Sequence, residues 1–574
     1  MANRSRSRRA RRTRELVAKL LIASLLGAST PAASGDATSD LPAYIADGLI
    51  EDAGDRSSIP EPVAREVSGY YDFIDKTFVH SIKQAFDMPR NFRRLVGKPK
   101  EAEDVNAFDE APNSTWFTNR IFFFPPAPAE VARGPNLGLS PDPIGNWEVI
   151  RGKTQGITPG FVIRDALDAV YVIKFDPPDW QEMATGAEII STKIFHLAGY
   201  NCPENHLTSL DPDRITVSPQ AKFVDSLGVK RPMTRDDVLK LLEPMPRQPD
   251  GTIRVIASRF LSGDIKGHFD YVGWRKDDPN DLVRHEHRRV LRGLRPLAAW
   301  TLHNDIRSLN NLETYVTDGD GRKYLMHYLI DFGATLGSAS LFPNRIYEGH
   351  EYILDGGEIA KSFVTLGIYR RPYEGKKPTM TPATGYFESE LFQPGSWKPN
   401  FPNPAFQNAT DRDNYWGAKI VMAFTDELID QIVSEARYSR AEDAAHMAQV
   451  LRERRDKVGR HWFARVNPAD RFRIGLDGER DEVLEFDDLA VVGKLAETGS
   501  TRYRYRLRQG QEAARWQELA APAIPLGPPP AVPGGSPVPV TVEIQSRRGS
   551  GGWSSTTRVE LLRDASTRIM GISR

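Results

Sequence analysis

Two carboxylates and a carboxamide fall inside one short stretch, residues 300–333, which reads WTLHNDIRSLNNLETYVTDGDGRKYLMHYLIDFG. Asp305 and Asn310 share a polar turn, and Asp331 closes the apolar run KYLMHYLI. Phosphoryl transfer asks for this donor set: hard oxygens for magnesium, and a carboxylate that orients the attacking hydroxyl. On that chemistry Asp331 is the main metal ligand, Asn310 a second ligand and Asp305 the base or positioning residue. The plainer alternative is a strand end with a turn glycine at Asp331-Phe332-Gly333, and a helix C-terminal cap at His303-Asn304-Asp305.

The elements needed to position these groups are legible around them. An apolar helix end, RPLAAWTL, delivers the polar turn, and the strands LETYV and KYLMHYLI flank a turn of Asp318, Gly319, Asp320 and Gly321. Such a hairpin carries Asp305 and Asn310 at its first end and returns Asp331 beside them. Upstream, Lys174 lies within the apolar strand DAVYVIKF, where its ammonium must find a partner unless the strand is an edge with an exposed face. The amphipathic helix QEMATGAEIISTKIFHLAGY, ended near Gly199, offers Glu188 as that partner. Glu182 is the second candidate, though at the helix start it would also favour the N-terminal dipole. Gly152, Gly156 and Gly160 punctuate two preceding strands. They would let the backbone approach phosphates, or serve as ordinary turn glycines, since their spacing is not G-x-G-x-x-G.

In chain order these features are strand lysine, helix glutamate, hinge strand (TIRVIASRFLSG), helix, Asp-to-Asn loop, strand and DFG. That order resembles the protein-kinase superfamily: HNDIRSLN has the Asp-to-Asn separation of the kinase catalytic loop, and Asp331-Phe332-Gly333 reproduces the metal-binding triplet. HND in place of HRD, and a segment after Gly333 with no Ala-Pro-Glu, resemble the atypical branch of HipA-type kinases, spore-coat kinases and the secretory-pathway casein-kinase family. The resemblance spans residues 147–465. It implies ATP with Mg²⁺ (or Mn²⁺), with Lys174 on the phosphates, Glu188 orienting it and Arg307 adding fixed positive charge. It also implies a hydroxyl-bearing acceptor, either a protein or a small molecule. The missing glycine signature and the missing Ala-Pro-Glu leave open a pseudokinase that binds nucleotide without turnover, and the rival class is a non-enzymatic envelope binding or scaffold protein.

At 574 residues the chain exceeds a single core, so two to four domains are expected. The predicted fold class is α+β: a two-lobed protein-kinase-like core with an N-terminal arm and a C-terminal all-β module. Residues 1–35 read as a signal peptide, with a basic n-region (Arg4 to Arg14), the apolar core LVAKLLIASLLGA and small residues near Ala33, so export to the periplasm, cell envelope or medium is expected. ATP is scarce there. No later run is long and apolar enough for a transmembrane span. Residues 36–145 form a proline- and aromatic-rich arm, expected to pack into the next domain, with a partner surface as the sharper alternative. Residues 146–263 read as an N-lobe with a helix-containing insertion at 219–250, residues 264–466 as a C-lobe, and residues 467–574 as a small β-sandwich-like module interrupted by a Pro/Gly-rich linker at 522–540. A targeting or adhesive role suits that module.

Net charge is zero, but seven arginines, one lysine and one glutamate give the first 35 residues +7 and leave −7 elsewhere; nothing suggests nucleic-acid binding. Cys202 is the only cysteine, which excludes an intramolecular disulfide. His285-Glu286-His287 reads as a charged helix start rather than a zinc site, because adjacent helical residues face different ways.

Overall fold

Alternation along one strand decides which way the N-lobe faces. In β3 (Val170–Phe175) Tyr171, Ile173 and Phe175 point into an apolar cluster, and Lys174 therefore points to the opposite side of the sheet. The computed structural model describes residues 42–574 except 47, 49, 52–53, 67–73, 143–144, 153–159, 225–229, 378, 479–480, 511 and 530–536. The signal-peptide reading and Gly156 lie outside the described residues. The chain divides into two units, residues 1–48 and 49–574. The first contains the one-turn helix Ala43–Ala46; everything below concerns the second.

The arm begins with two short helices, α1 (Ser81–Phe86) and α2 (Met88–Leu95). The N-lobe sheet then has the order β4-β8-β3-β2-β1-β5. Its strands are β1 (Trp147–Gly152), β2 (Gly160–Arg164), β3, β4 (Asn205–Leu210), β5 (Ile215–Val217) and β8 (Ile253–Arg259). All pairings are antiparallel except β1 with β5. One face is covered by the insertion: after the hairpin β6 (Lys222–Val224) and β7 (Lys230–Pro232) comes α4 (Arg235–Leu242), whose Val238 and Leu242 join the cluster of Ile173 and Phe175. The stretch predicted as a polar insertion thus supplies five of the seventeen buried residues of that cluster, Ala221, Met233, Val238, Leu242 and Met245. The earlier helix α3 (Met183–Ala198) is buried almost throughout. It ends at Gly199, whose φ of 126° and contact with Phe117 leave no room for a Cβ.

The predicted catalytic hairpin is present. Helix α5 (Leu294–Trp300) leads through the polar turn to β10 (Asn311–Thr317) and β11 (Lys323–Leu329), paired from Asn311↔Leu329 to Thr317↔Lys323, with β9 (Asp264–Gly267) on the outer edge. Asp318 closes the tip by accepting from the Asp320 and Arg322 amides. Residues 285–287 correct one expectation. They form a 3₁₀ turn with His285 and Glu286 buried, not a charged helix start. Burial is possible because His285 pairs with Asp281 and the Glu286 carboxylate accepts from the Gly273 amide.

Beyond the hairpin lie α6 (Gly356–Val364), α7 (Asp411–Met422), α8 (Asp426–Ser434) and the 23-residue α9 (Ala441–Phe463). Helix α8 is separated from α7 where the Thr425 hydroxyl caps it by accepting from the Leu428 amide. The C-terminal region holds two antiparallel sheets. The first is β12 (Ala469–Asp477), β13 (Asp481–Asp488) and β17 (Ala523–Gly527). The second is built on β14 (Thr501–Gln509), β18 (Val538–Arg548), β19 (Thr557–Arg563) and β20 (Thr567–Ser573), with short β15 (Glu512–Ala513) and β16 (Gln517–Leu519) on β14. Strand β17 falls within the segment read as a linker, so that segment is partly sheet. The aromatic arm packs inward as expected: Trp116 stacks on His327 at 3.5 Å, and Phe117 meets Trp416 at 5.0 Å. Among the described residues no helix is long and apolar enough to cross a membrane.

Candidate active site

Lys174 reaches across from β3 to two carboxylates at once. Its Nζ donates to both Glu188 oxygens at 3.1 Å and to Asp331 Oδ1 at 2.9 Å. Burial alone would pull the ammonium down, but Asp331 and Glu188 outweigh it and raise its pKa above the ordinary lysine value. Glu188 is 1% exposed, and Asp331 is 41% exposed, so the bridge has a closed side in α3 and an open side toward solvent. Glu182 is not the partner. It caps α3 with a φ of 68°, and its carboxylate accepts from the Ser439 amide and hydroxyl.

The polar turn folds back on itself. Asn310 donates its carboxamide N–H groups to the Asp305 carbonyl at 2.6 Å and to Asp305 Oδ2 at 2.9 Å. Arg307 Nε lies 2.8 Å from Asp305 Oδ1. The Ile330 amide donates to the Asn310 carbonyl at 3.1 Å, which fixes the residue before Asp331 against Asn310. Asp331 itself has a φ of 63°, a left-handed backbone that costs a non-glycine residue about 1 kcal/mol or more. The surrounding bonds hold it there. Asp305, Arg307, Asn310 and Asp331 are thus brought to one edge, with Lys174 and Glu188 joined through Asp331.

Gly152 ends β1, and Gly160 begins β2, where it pairs directly with Lys174. A Cβ on Gly152 would meet nothing nearer than the Lys222 carbonyl at 3.7 Å, so packing within the fold does not demand glycine there.

Several supporting residues were not foreseen. Asn205, buried at the start of β4, donates to Glu188 Oε1 at 2.9 Å and to Thr192 Oγ1 at 2.7 Å, holding the glutamate in place. Phe332 stacks on Phe195 of α3 at 5.0 Å, and His303 closes the trio at 5.7 and 5.8 Å. Burial pulls the His303 imidazole down to about 4, against the opposing effects of Asp331 and a hydrogen bond to the Ala334 backbone. It is therefore a neutral packing group at pH 7. Glu348, from the segment after Gly333, accepts from Asn304 at 3.3 Å, and burial pushes its carboxyl up.

The donor set suits a hard divalent cation. With its N–H groups committed to Asp305, Asn310 turns its amide oxygen to any ligand, and Asp331 brings a half-open carboxylate. Among the described residues no three His, Cys, Asp or Glu side chains close around a metal.

No protein-family model matches the sequence, and no curated protein matches it. Among solved structures, a crystal structure of the Golgi casein kinase is similar at 10% identity and a TM-score of 0.28, covering 71% of this chain and 95% of that one. A crystal structure of the Golgi casein kinase with Mn and ADP bound is similar at 12% identity and a TM-score of 0.28, covering 71% and 94%.

Proposed function

We propose that the chain is a kinase-like phosphotransferase that uses ATP with Mg²⁺ or Mn²⁺ to phosphorylate a hydroxyl-bearing acceptor, a protein or a small molecule, in the cell envelope. The observation that carries this reading is the Lys174 bridge, one buried ammonium shared by Glu188 of α3 and Asp331 at the hairpin end. One of these carboxylates, Asp331, is half open to solvent, where a cation can reach it.

Lys174 holds nucleotide phosphates, oriented by Glu188, which Asn205 fixes in turn. Asp331 and Asn310 hold the divalent cation, which when bound supplies neutralisation of charge on the transferred group. Asp305 aligns the acceptor hydroxyl and takes up its proton, and Arg307 adds positive charge beside it. Gly152, Gly156 and Gly160 let backbone amides approach the phosphates.

The test is a thermal-shift titration of the protein with ATP and Mg²⁺ or Mn²⁺, run beside Asp331→Ala. A ligand that binds only the folded state stabilises it by about 2.7 kcal/mol at one hundred times its dissociation constant. The expected outcome is metal-dependent stabilisation that Asp331→Ala removes. No shift with any nucleotide overturns the reading and leaves an envelope binding protein. A shift without phosphoryl transfer to any acceptor or to water leaves the pseudokinase.

A further inference from the structure

Helix α2 is docked with its faces reversed. Met88, Phe92, Leu95 and Val96 recur on one side, and a surface helix ordinarily turns such a side inward. Here Arg90 and Arg94 are turned toward the chain, while Arg93 stays exposed. Arg90 donates to Asn408 Oδ1 at 2.9 Å and the Gln407 carbonyl at 2.8 Å, and Arg94 donates to the same carbonyl at 2.6 Å. The apolar side is left in solvent, Leu95 being 85% exposed, and Phe86 of α1 is 77% exposed beside it in sequence.

Helix α6 repeats the arrangement. No residue of it is buried, and Ile359, Phe363, Val364, Leu366 and Ile368 are all exposed. Both elements flank one connecting stretch, residues 398–407: Lys398 pairs with Asp355, which caps α6, at 2.6 Å, and Gln407 anchors α2. That stretch in turn touches the candidate active site, through the Asn400 amide on the Asn304 carbonyl at 2.9 Å and Arg307 over the Phe401 ring. Patches of this kind mark a surface made for an apolar partner. Cations surround them: Lys83, Arg93 and Lys98 are exposed around α1 and α2, and Arg370, Lys376 and Lys377 follow α6.

We propose that α1, α2 and α6 form a docking face for an anionic lipid bilayer, seating their large apolar side chains at the acyl boundary while the flanking lysines and arginines meet the headgroups. Bulky aliphatic and phenyl groups ringed by Lys and Arg are the composition of an interfacial helix, and the charge complements anionic headgroups rather than neutral ones. The face is independent of phosphoryl transfer. It would hold the open edge of the site near a membrane surface.

The experiment is flotation of the full chain with vesicles of phosphatidylcholine alone, and of an equal mixture of phosphatidylcholine and phosphatidylglycerol. Binding to the mixed vesicles that weakens with salt is expected, together with a loss of roughly tenfold or more in the triple variant Phe86→Ser/Phe92→Ser/Leu95→Ser. The triple variant leaves every charge in place, so the basic first 35 residues contribute equally to both proteins. Since Cys202 is buried, Leu95→Cys can also carry a single environment-sensitive fluorophore, whose emission should shift to the blue on mixed vesicles. Undiminished binding by the triple variant, or a label that stays in water, overturns the proposal. So does a concentration-dependent dimer that the triple variant abolishes, because a second copy would then cover the face.

Discussion

Two clusters of charged side chains divide the labour of this molecule. One is the Lys174 bridge, in which a single ammonium serves Glu188 and Asp331, and Asp331 is half exposed. The other lies where arm, C-lobe and C-terminal sheets meet. There Asp109, Glu110, Asp413 and Asp470 face Arg289, Arg292, Lys419 and Arg574, each side chain 1% exposed or less. With Arg412 also on Asp109 at 2.9 Å, each of these four carboxylates meets at least one cation. A buried charge network persists only when its members are matched and hydrogen-bonded, so the second cluster is a fastening. The first is open on one side, and on that openness the proposed cation and phosphate site rests.

Deleting one charge from each cluster should therefore give opposite phenotypes. Asp331→Ala is expected to lower phosphoryl transfer by roughly 10³-fold, with little change in urea unfolding because the carboxylate is half solvated. Lys419→Met removes the buried ion-pair partner of Glu110, while Asp470 keeps Arg574, and should cost about 3–5 kcal/mol in the same unfolding measurement. Equal stability losses in the two variants would erase the distinction.

Acid sharpens the contrast further. His303, held to about 4 by burial, stays neutral in the folded protein while the unfolded imidazole takes up a proton near pH 6.5. The unfolded state then binds more protons, so stability falls as pH drops from about 6.5 toward 4, by as much as ~3 kcal/mol from this group. Asp109 acts lower. Burial raises its carboxyl, but Arg289, Arg574 and Arg412 outweigh burial and hold it well below the usual range. Its contribution is present above about pH 4 and lost below it. Unfolding free energies measured across pH 3–8 should show both losses, and His303→Phe should flatten only the first. The smallest effect belongs to a third kind of charge pair, Arg322 with Asp318 at the hairpin tip. Exposed pairs of this sort contribute little, and Arg322→Ala should leave the melting temperature unchanged within scatter.

The candidate site was legible to the extent that it is local. Asp305 and Asn310 lie in one turn, and the pairing from Asn311↔Leu329 to Thr317↔Lys323 returns Asp331 to them, so period, turn residues and hairpin length sufficed. Lys174 and Glu188 sit on consecutive elements, a strand and the helix that follows it. Asn205 was missed because its role appears only when β4 is laid beside α3. His285 and Glu286 were misread for a related reason: their partners, Asp281 and the Gly273 amide, come from a loop without periodicity.

Local sequence thus determined the strands, most of the helices and the residues that could handle a phosphoryl group, since backbone propensity and side-chain period act over a few residues. It could not show the buried charge network, which joins positions as distant as Asp109 and Arg574. Nor could it show that α2 turns Arg90 and Arg94 toward the chain. A helical pattern identifies an apolar side, and the direction that side faces is set by what packs against the helix. Here that is the Gln407 carbonyl, supplied from the short helix Pro404–Asn408 more than three hundred positions along the chain.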